Sequence, residues 1–352
     1  MTIDEHARPL ARVVRGDLVE SVHLGHLVLL DAAGDVPGDM PGDIFERRGD
    51  PDAVMFPRST LKPVQAVAML RAGLDLHGEL LALAAASHSG EPAHLDGVRR
   101  ILAGAGLDES ALDNTPDLPL AERSAGGTSI GTERSAGGTS IGTERSAGGT
   151  SIGTEGAAGQ TPSTIAQNCS GKHAAMLATC VAAGWPTDGY RDPSHPLQVL
   201  VRSTVAELTG DGAEHLTVDG CGAPLFSATT TGLARAFARI ATAAPATPEG
   251  RVADALRANP WWLGGTGRPV TRFCEAVPGL IAKDGAEGVF AAALPDGRAL
   301  AFKVLDGSSR AAPALVAAAL GRLGAGSGAV AELGRTDVLG HGVPVGRITA
   351  EL

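Results

Sequence analysis

Aromatic side chains are scarce in this chain. They form 3% of 352 residues, with one tyrosine and three tryptophans, so Leu, Val and Ala must build the core. An excess of cations is also missing. Lys and Arg number 29 against 39 Asp and Glu, a net charge of −10, and no basic stripe appears. That argues against nucleic acid or an anionic membrane as the main partner. No apolar run reaches the ~20 residues of a membrane span. Residues 1 to 15 lack the apolar core of a signal peptide, so the expected compartment is the cytoplasm. Cysteines number four: Cys169, Cys180, Cys221 and Cys274. In a long chain without a leader, free thiols or metal ligands are expected over disulfides. Cys180, in an Ala-rich apolar stretch, reads as a small buried hydrophobe.

What is present is an ordinary globular balance, 43% hydrophobic and 19% charged. The length suits one large domain or two lobes; the expectation is a single catalytic domain over residues 1–352. Residues 18–31 are β-branched and partly alternating, which predicts strands in a hairpin around Gly25. The Gly/Pro/Asp-rich stretch at 37–43 predicts a loop. Helical patterns occupy 62–74, 92–105, 172–183, 196–208 and 252–259, and Pro63 fits only a first helical turn. Residues 80–86 are apolar, and periodicity leaves strand and helix both open. A strand is expected over 297–305 and a final long helix over 311–323. Interspersed helices and strands predict a mixed α/β or α+β fold. ERSAGGTSIGT occurs three times in tandem, from Glu122, Glu133 and Glu144. Its Gly, Ser and Thr content opposes a stable helix and predicts a low-complexity surface loop over 122–155.

Two constellations carry chemistry. Ser59 and Lys62 are spaced i, i+3, which on a helix places both on one face, with Cβ atoms ~5–6 Å apart. A serine hydroxyl is a poor nucleophile until a neighbour takes its proton. A lysine can do so only when neutral, so its reference pKa of about 10.4 must fall by roughly 3 units through burial or nearby positive charge. Arg58 and a second lysine are candidates for that charge. S-x-x-K by itself is common, and a solvated helix face is the plain alternative. Downstream, Ser87-His88-Ser89-Gly90-Glu91 closes the apolar run. Its polar groups suit an oxyanion or an amino-acid substrate. The residues alone favour helix capping by Ser87 or Ser89 with Glu91 in the first turn.

The second constellation is Asn168-Cys169-Ser170-Gly171-Lys172-His173, a thiol and an amine three positions apart on a Gly-containing turn before a helix. Cys221 lies on another turn, Val218-Asp219-Gly220-Cys221-Gly222. Two thiolates on turns are candidate zinc ligands. A third ligand is then needed, and His173, His215 or a deprotonated Lys172 are the choices. Two reduced structural cysteines are the alternative. The Gly264-Gly265-Thr266-Gly267-Arg268 loop lacks the G-K-[ST] ending of a phosphate loop.

Arg58-Ser59-x-x-Lys62-Pro63, Ser87-His88-Ser89, Cys169-Ser170-Gly171-Lys172-His173 and Asp219-Gly220-Cys221 occur in that order. Together they resemble the Rhizobium-etli-type L-asparaginase family, from about Arg15 to the C-terminus. The resemblance implies a fold related to serine β-lactamases and penicillin-binding proteins, with helices around a mainly antiparallel sheet, and a homodimer. It implies hydrolysis of L-asparagine to L-aspartate and ammonia by two Ser–Lys tandems, Ser59 with Lys62 and Ser87 with Lys283. It places Arg58, His88 and Asp219 at the substrate, Asp219 on its α-amino group. It also implies a zinc ion held by Cys169, Lys172 and Cys221, which shapes binding without supplying the nucleophile. Between the two serines, Ser59 is favoured as nucleophile. Cys274 has no counterpart in the resemblance. The rival readings are another S-x-x-K hydrolase or amidase, and a non-enzymatic metal protein that binds an amino acid.

Overall fold

The computed structural model describes residues 2–32, 42–120 and 161–352. The triple repeat and most of the Gly/Pro/Asp-rich stretch lie outside them. An eight-stranded antiparallel sheet organises the rest. Its order runs Thr336–Gly340, Val343–Ala350, Arg8–Arg15, Leu18–Leu30, Ala299–Val304, Val289–Ala293, Ile281–Asp284, with Ile44–Arg48 paired to the far half of Leu18–Leu30. The two ends of the chain therefore sit side by side, Ala11 opposite Ala350. The architecture is a mixed α/β fold with segregated helices, as the interspersed pattern predicts.

Small residues let this sheet be covered closely. Ala291, Ala292, Ala293, Ala299 and Ala301 are all buried in it, and Phe290 and Phe302 stack with centroids 5.7 Å apart. Helix Thr230–Thr242 packs across the central strands, and helix Ala312–Arg322 packs against the strands from the two chain ends. Lys62–Arg71, Gly78–Ala84, Pro92–Gly104, Ser170–Ala183 and Pro196–Thr209 pack on one another in a helical layer beyond. One apolar core extends from Leu10 to Ile348.

Several sequence expectations are corrected. Gly25 is not a hairpin turn. Leu18–Leu30 is one strand of 13 residues, and the hairpin lies at its start, where Arg15 pairs with Leu18 and Gly16 has φ +60°. Gly25 is required for another reason: a Cβ there would lie 2.1 Å from the Lys303 carbonyl oxygen of the neighbouring strand. The ambiguous apolar run is a helix, Gly78–Ala84. Helix Ala312–Arg322 is the last long helix, as expected, and a shorter one, Gly328–Gly334, and two strands follow it. Pro63 does open the helix Lys62–Arg71, where its missing N–H has no intrahelical partner to lose. A 3-10 turn, Arg58–Leu61, runs directly into that helix. No helix among the described residues is long and apolar enough to cross a membrane.

Candidate active site

Ser59 and Lys62 occupy the junction of the 3-10 turn and the helix, where the Lys62 amide donates to the Ser59 carbonyl. Residues i and i+3 eclipse in a 3-10 turn, so both side chains share a face. Arg58 takes φ +56°, a left-handed conformation that costs a non-glycine residue of the order of 1 kcal/mol and clusters at functional sites. Ser59 is partly exposed and Lys62 is buried. Lys62 Nζ donates to the Ala86 carbonyl at 2.6 Å and to Ser87 Oγ at 3.0 Å. Ser87 is thus joined to Lys62, whereas the family resemblance pairs it with Lys283.

Lys283 is the penultimate residue of the edge strand Ile281–Asp284 and is fully buried. Its Nζ donates to the Asp284 carbonyl at 2.6 Å and to Asp284 Oδ1 at 2.5 Å. Burial, opposed by Asp284 and assisted by Lys62, pushes its pKa down to about 8. Strand Ile281–Asp284 packs against the turn Arg58–Leu61. Gly285 keeps the strand end against the serine turn: a Cβ there would meet the Pro57 carbonyl oxygen at 2.9 Å. Burial works against the Asp284 charge, but Lys283 and Arg268 outweigh it and hold the carboxyl low.

At the rim, Arg58 Nε donates to Asp219 Oδ1 at 2.7 Å. Burial raises the Asp219 carboxyl, and Lys172 and Arg58 overcome it, so Asp219 stays ionised. A cation and an anion thus stand together at the serine turn, the charge pattern that an amino-acid zwitterion complements.

His88 sits differently from its expected place at the substrate. It is fully buried with both ring nitrogens engaged. Nδ1 accepts from the Gly90 amide at 3.2 Å, so in the neutral ring Nε2 carries the hydrogen and donates to Ser170 Oγ at 2.9 Å. Burial first, then His94 and Lys62, keep this imidazole neutral. His88 therefore ties the Ser87 turn to the helix that starts at Ser170. The capping alternative is also corrected. Ser89 Oγ donates to the Gly264 carbonyl at 2.7 Å, and the Glu91 carboxylate accepts from the Thr266 amide and hydroxyl, each at 2.7 Å. No side chain caps Pro92–Gly104.

The thiol constellation converges. Cys169 precedes the first residue of helix Ser170–Ala183, Lys172 is its third residue, and Cys221 lies on the turn after Asp219. Cys169, Cys221 and Ala223 form their own buried cluster. Lys172 Nζ donates to Cys221 Sγ at 3.3 Å. The hydrogen bond with Cys169 draws Cys221 down to about 5, against burial and with help from Lys172. Burial opposes the Lys172 charge, but Cys221, Cys169 and Asp219 raise it. Two sulfurs and one amine, all buried, form a donor set that fits a soft or borderline metal ion. Among the described residues no group of three His, Cys, Asp or Glu could hold a metal, so the amine would have to be the third ligand. His173 instead pairs its Nδ1 with Tyr190 Oη at 2.7 Å, and His215 offers its amide to Ser227.

Sequence reasoning missed Asp284 and Arg268 as members of this region. One signal was available. The chain has only four lysines, Lys62, Lys172, Lys283 and Lys303, and the first three are buried here. Arginine carries most surface cations, and three of the four lysines mark this buried region.

Solved structures with some likeness include a β-lactamase from Mycobacterium bovis, 14% identical over 85% of this chain and 95% of its own, with TM-score 0.40. Mglu in its native form is 12% identical over 80% of this chain and 59% of its own, TM-score 0.39. A putative β-lactamase from Bacteroides dorei DSM 17855 is 15% identical over 80% and 85%, TM-score 0.37. Likenesses this loose carry no functional argument. Comparison with curated proteins gives no match. The family pattern of L-asparaginase II matches residues 11–135 and 146–350. Those spans contain every serine, lysine and cysteine of the site just described, and the chain belongs to the L-asparaginase II family.

Proposed function

We propose that this protein hydrolyses the side-chain amide of L-asparagine, with Ser59 as nucleophile and the buried lysines as its base. The observation that carries the reading is the Lys62–Ser87 hydrogen bond at 3.0 Å, buried beside the partly exposed Ser59. Lys62 spends two hydrogens on Ala86 and Ser87. In the neutral amine the remaining position is a lone pair, which is what a base needs.

Lys62 adds to the cost of the Lys283 charge. Lys283, held near 8 chiefly by burial, is the amine that is neutral above that pH and takes the Ser59 hydroxyl proton. Ser59 Oγ bonds to the carboxamide carbon, and the carbonyl electron pair moves onto its oxygen as an oxyanion. The proton returns to the departing nitrogen through Ser87, and ammonia leaves. Water then cleaves the β-aspartyl ester by the same proton path and releases L-aspartate. Asp219 holds the substrate α-ammonium and Arg58 its α-carboxylate, so their mutual ion pair is exchanged for two pairs to substrate. His88 acts by fixing the Ser87 turn.

Zinc belongs to this reading, held by Cys169, Lys172 and Cys221. When bound it would supply charge that fixes the turn carrying Asp219, two residues from Cys221. The reading extends to a homodimer in the cytoplasm, as the family resemblance implies. The deciding experiment is ammonia release from L-asparagine by purified protein, with L-glutamine alongside. No release from asparagine by folded, zinc-loaded protein sinks the proposal.

A further inference from the structure

The Gly264–Arg268 loop has no role in the reaction so far, yet it touches both halves of the site. On one side the Leu263 carbonyl accepts from the Ser87 amide at 3.1 Å, and the Gly264 carbonyl accepts from Ser89 Oγ. Gly265, at φ +108°, passes so close to this turn that a Cβ would lie 2.6 Å from Ser89 Oγ and 2.5 Å from Glu91 Oε1. On the other side Arg268 donates from Nη2 to Asp284 Oδ2 at 2.6 Å, while Lys283 Nζ holds Oδ1 of the same carboxylate. One carboxylate is thus clamped between a guanidinium from the loop and a buried amine of the site.

We propose that Arg268 is a positioning residue for Lys283, acting through Asp284, and that the Gly264–Arg268 loop is the strap that holds this arm in register with the Ser87 turn. By occupying Oδ2, the guanidinium fixes the rotation of the carboxylate and so the direction of the Lys283 amine. It also takes up negative charge that would otherwise attach the proton more firmly to that amine. The groups around Lys283 are Asp284 on its own strand, Lys62 on the facing helix, Arg268 on the loop, and Cys274 on the helix Pro269–Ala276. Arg268 is the one whose removal both unmasks an attracting charge and deletes a repelling one. The role in turnover rests on the asparaginase reading; the clamp itself does not.

The test uses the full chain with 13C-labelled lysine. Four lysines give few resonances, and Lys283→Arg assigns the one of interest. In the Arg268→Gln variant the Lys283 titration midpoint should rise by about one pH unit. Arg268→Lys, which keeps the charge, should hold it within a few tenths. Asp284→Asn should move it the opposite way. For turnover, the acid limb of kcat/KM should follow the midpoint, so that R268Q loses about tenfold at pH 7 while its high-pH plateau stays within about twofold. A folded R268Q with an unmoved Lys283 midpoint overturns the proposal, as does an equal loss of rate at every pH. Absence of ammonia release from the wild type would remove the asparaginase reading and leave the NMR titration to decide the clamp.

Discussion

Arg58 and Asp219 are 161 positions apart in sequence and form an ion pair at 2.7 Å on the rim of the serine turn. Both groups are largely shielded from solvent. In the proposed reaction the substrate must open this pair, which would let the site reject molecules with only one of the two charges.

Replacement of Asp219 should therefore be selective. Charge-assisted hydrogen bonds contribute about 1.5–3 kcal/mol, so Asp219→Ala should raise KM for L-asparagine by roughly 10–100-fold. For the analogue lacking the α-amino group, succinamate, KM should change by less than about twofold. Equal losses for both compounds would show that Asp219 only supports the fold.

The two serines should separate by chemistry. Ser59→Ala should cost ~10³-fold or more in kcat, because no covalent ester can form. Ser87→Ala should cost less, about 10²-fold, because proton transfer is impaired while the nucleophile remains. Acid quenching during turnover, followed by peptide mass mapping, should find an aspartyl adduct on the peptide containing Ser59. An adduct on Ser87 would reverse the assignment.

The pH profile follows from Lys283, held down at about 8 by burial, with Lys62 adding. A base is useful only when deprotonated. Below that pH Lys283 carries its proton and kcat/KM should fall about tenfold per unit; above it the rate should level off. Stability takes the same sign. The folded pKa lies below that of the unfolded lysine, so the unfolded chain binds more protons between about 8 and 10.5. This group therefore makes the protein more stable as pH rises through that window and less stable as it falls. A profile flat from pH 6 to 9 would exclude Lys283 as the base.

Zinc should be found at one ion per chain by elemental analysis of protein purified without chelator. Cys169→Ser and Cys221→Ser should each bring it well below half of that. Chelation should lower asparaginase activity and zinc should restore it. Full activity in metal-free protein would leave the Cys169–Lys172–Cys221 cluster a purely structural one.

A fold-level check lies at Gly25. Gly25→Ala forces a methyl against the Lys303 carbonyl and the Leu10 side chain. Overpacking of this kind costs about 1–3 kcal/mol, visible as a lower denaturation midpoint with an unchanged urea slope. An unaffected midpoint would mean that the two strands slide apart at little cost.

Local patterns announced much of this. Pro63 and the apolar run after it fix a helix start, and that start carries Ser59 and Lys62. Cys169 and Lys172 likewise open a helix whose apolar residues are plain in sequence. Gly25 was misread because a glycine in a strand has two uses, turning the chain or admitting a neighbouring backbone, and only the neighbour distinguishes them. Ser89 and Glu91 were misread for a similar reason. Their partners, Gly264 and Thr266, lie 175 positions away, and a capping pattern looks no further than the next turn.

The sequence by itself determined which nucleophilic and basic side chains are present and which local element each one opens, because propensity, proline geometry and apolar periodicity act within a few residues. Tertiary structure alone decided the pairings: Lys62 with Ser87, Arg58 with Asp219, Lys172 with Cys221, and Lys283 with Asp284 and Arg268. Most of these pairs join distant segments, and even adjacent Lys283 and Asp284 depend on burial by the rest of the fold. A charge or an amine acquires its chemical character from the groups that surround it after collapse, when water has been removed and the dielectric lowered.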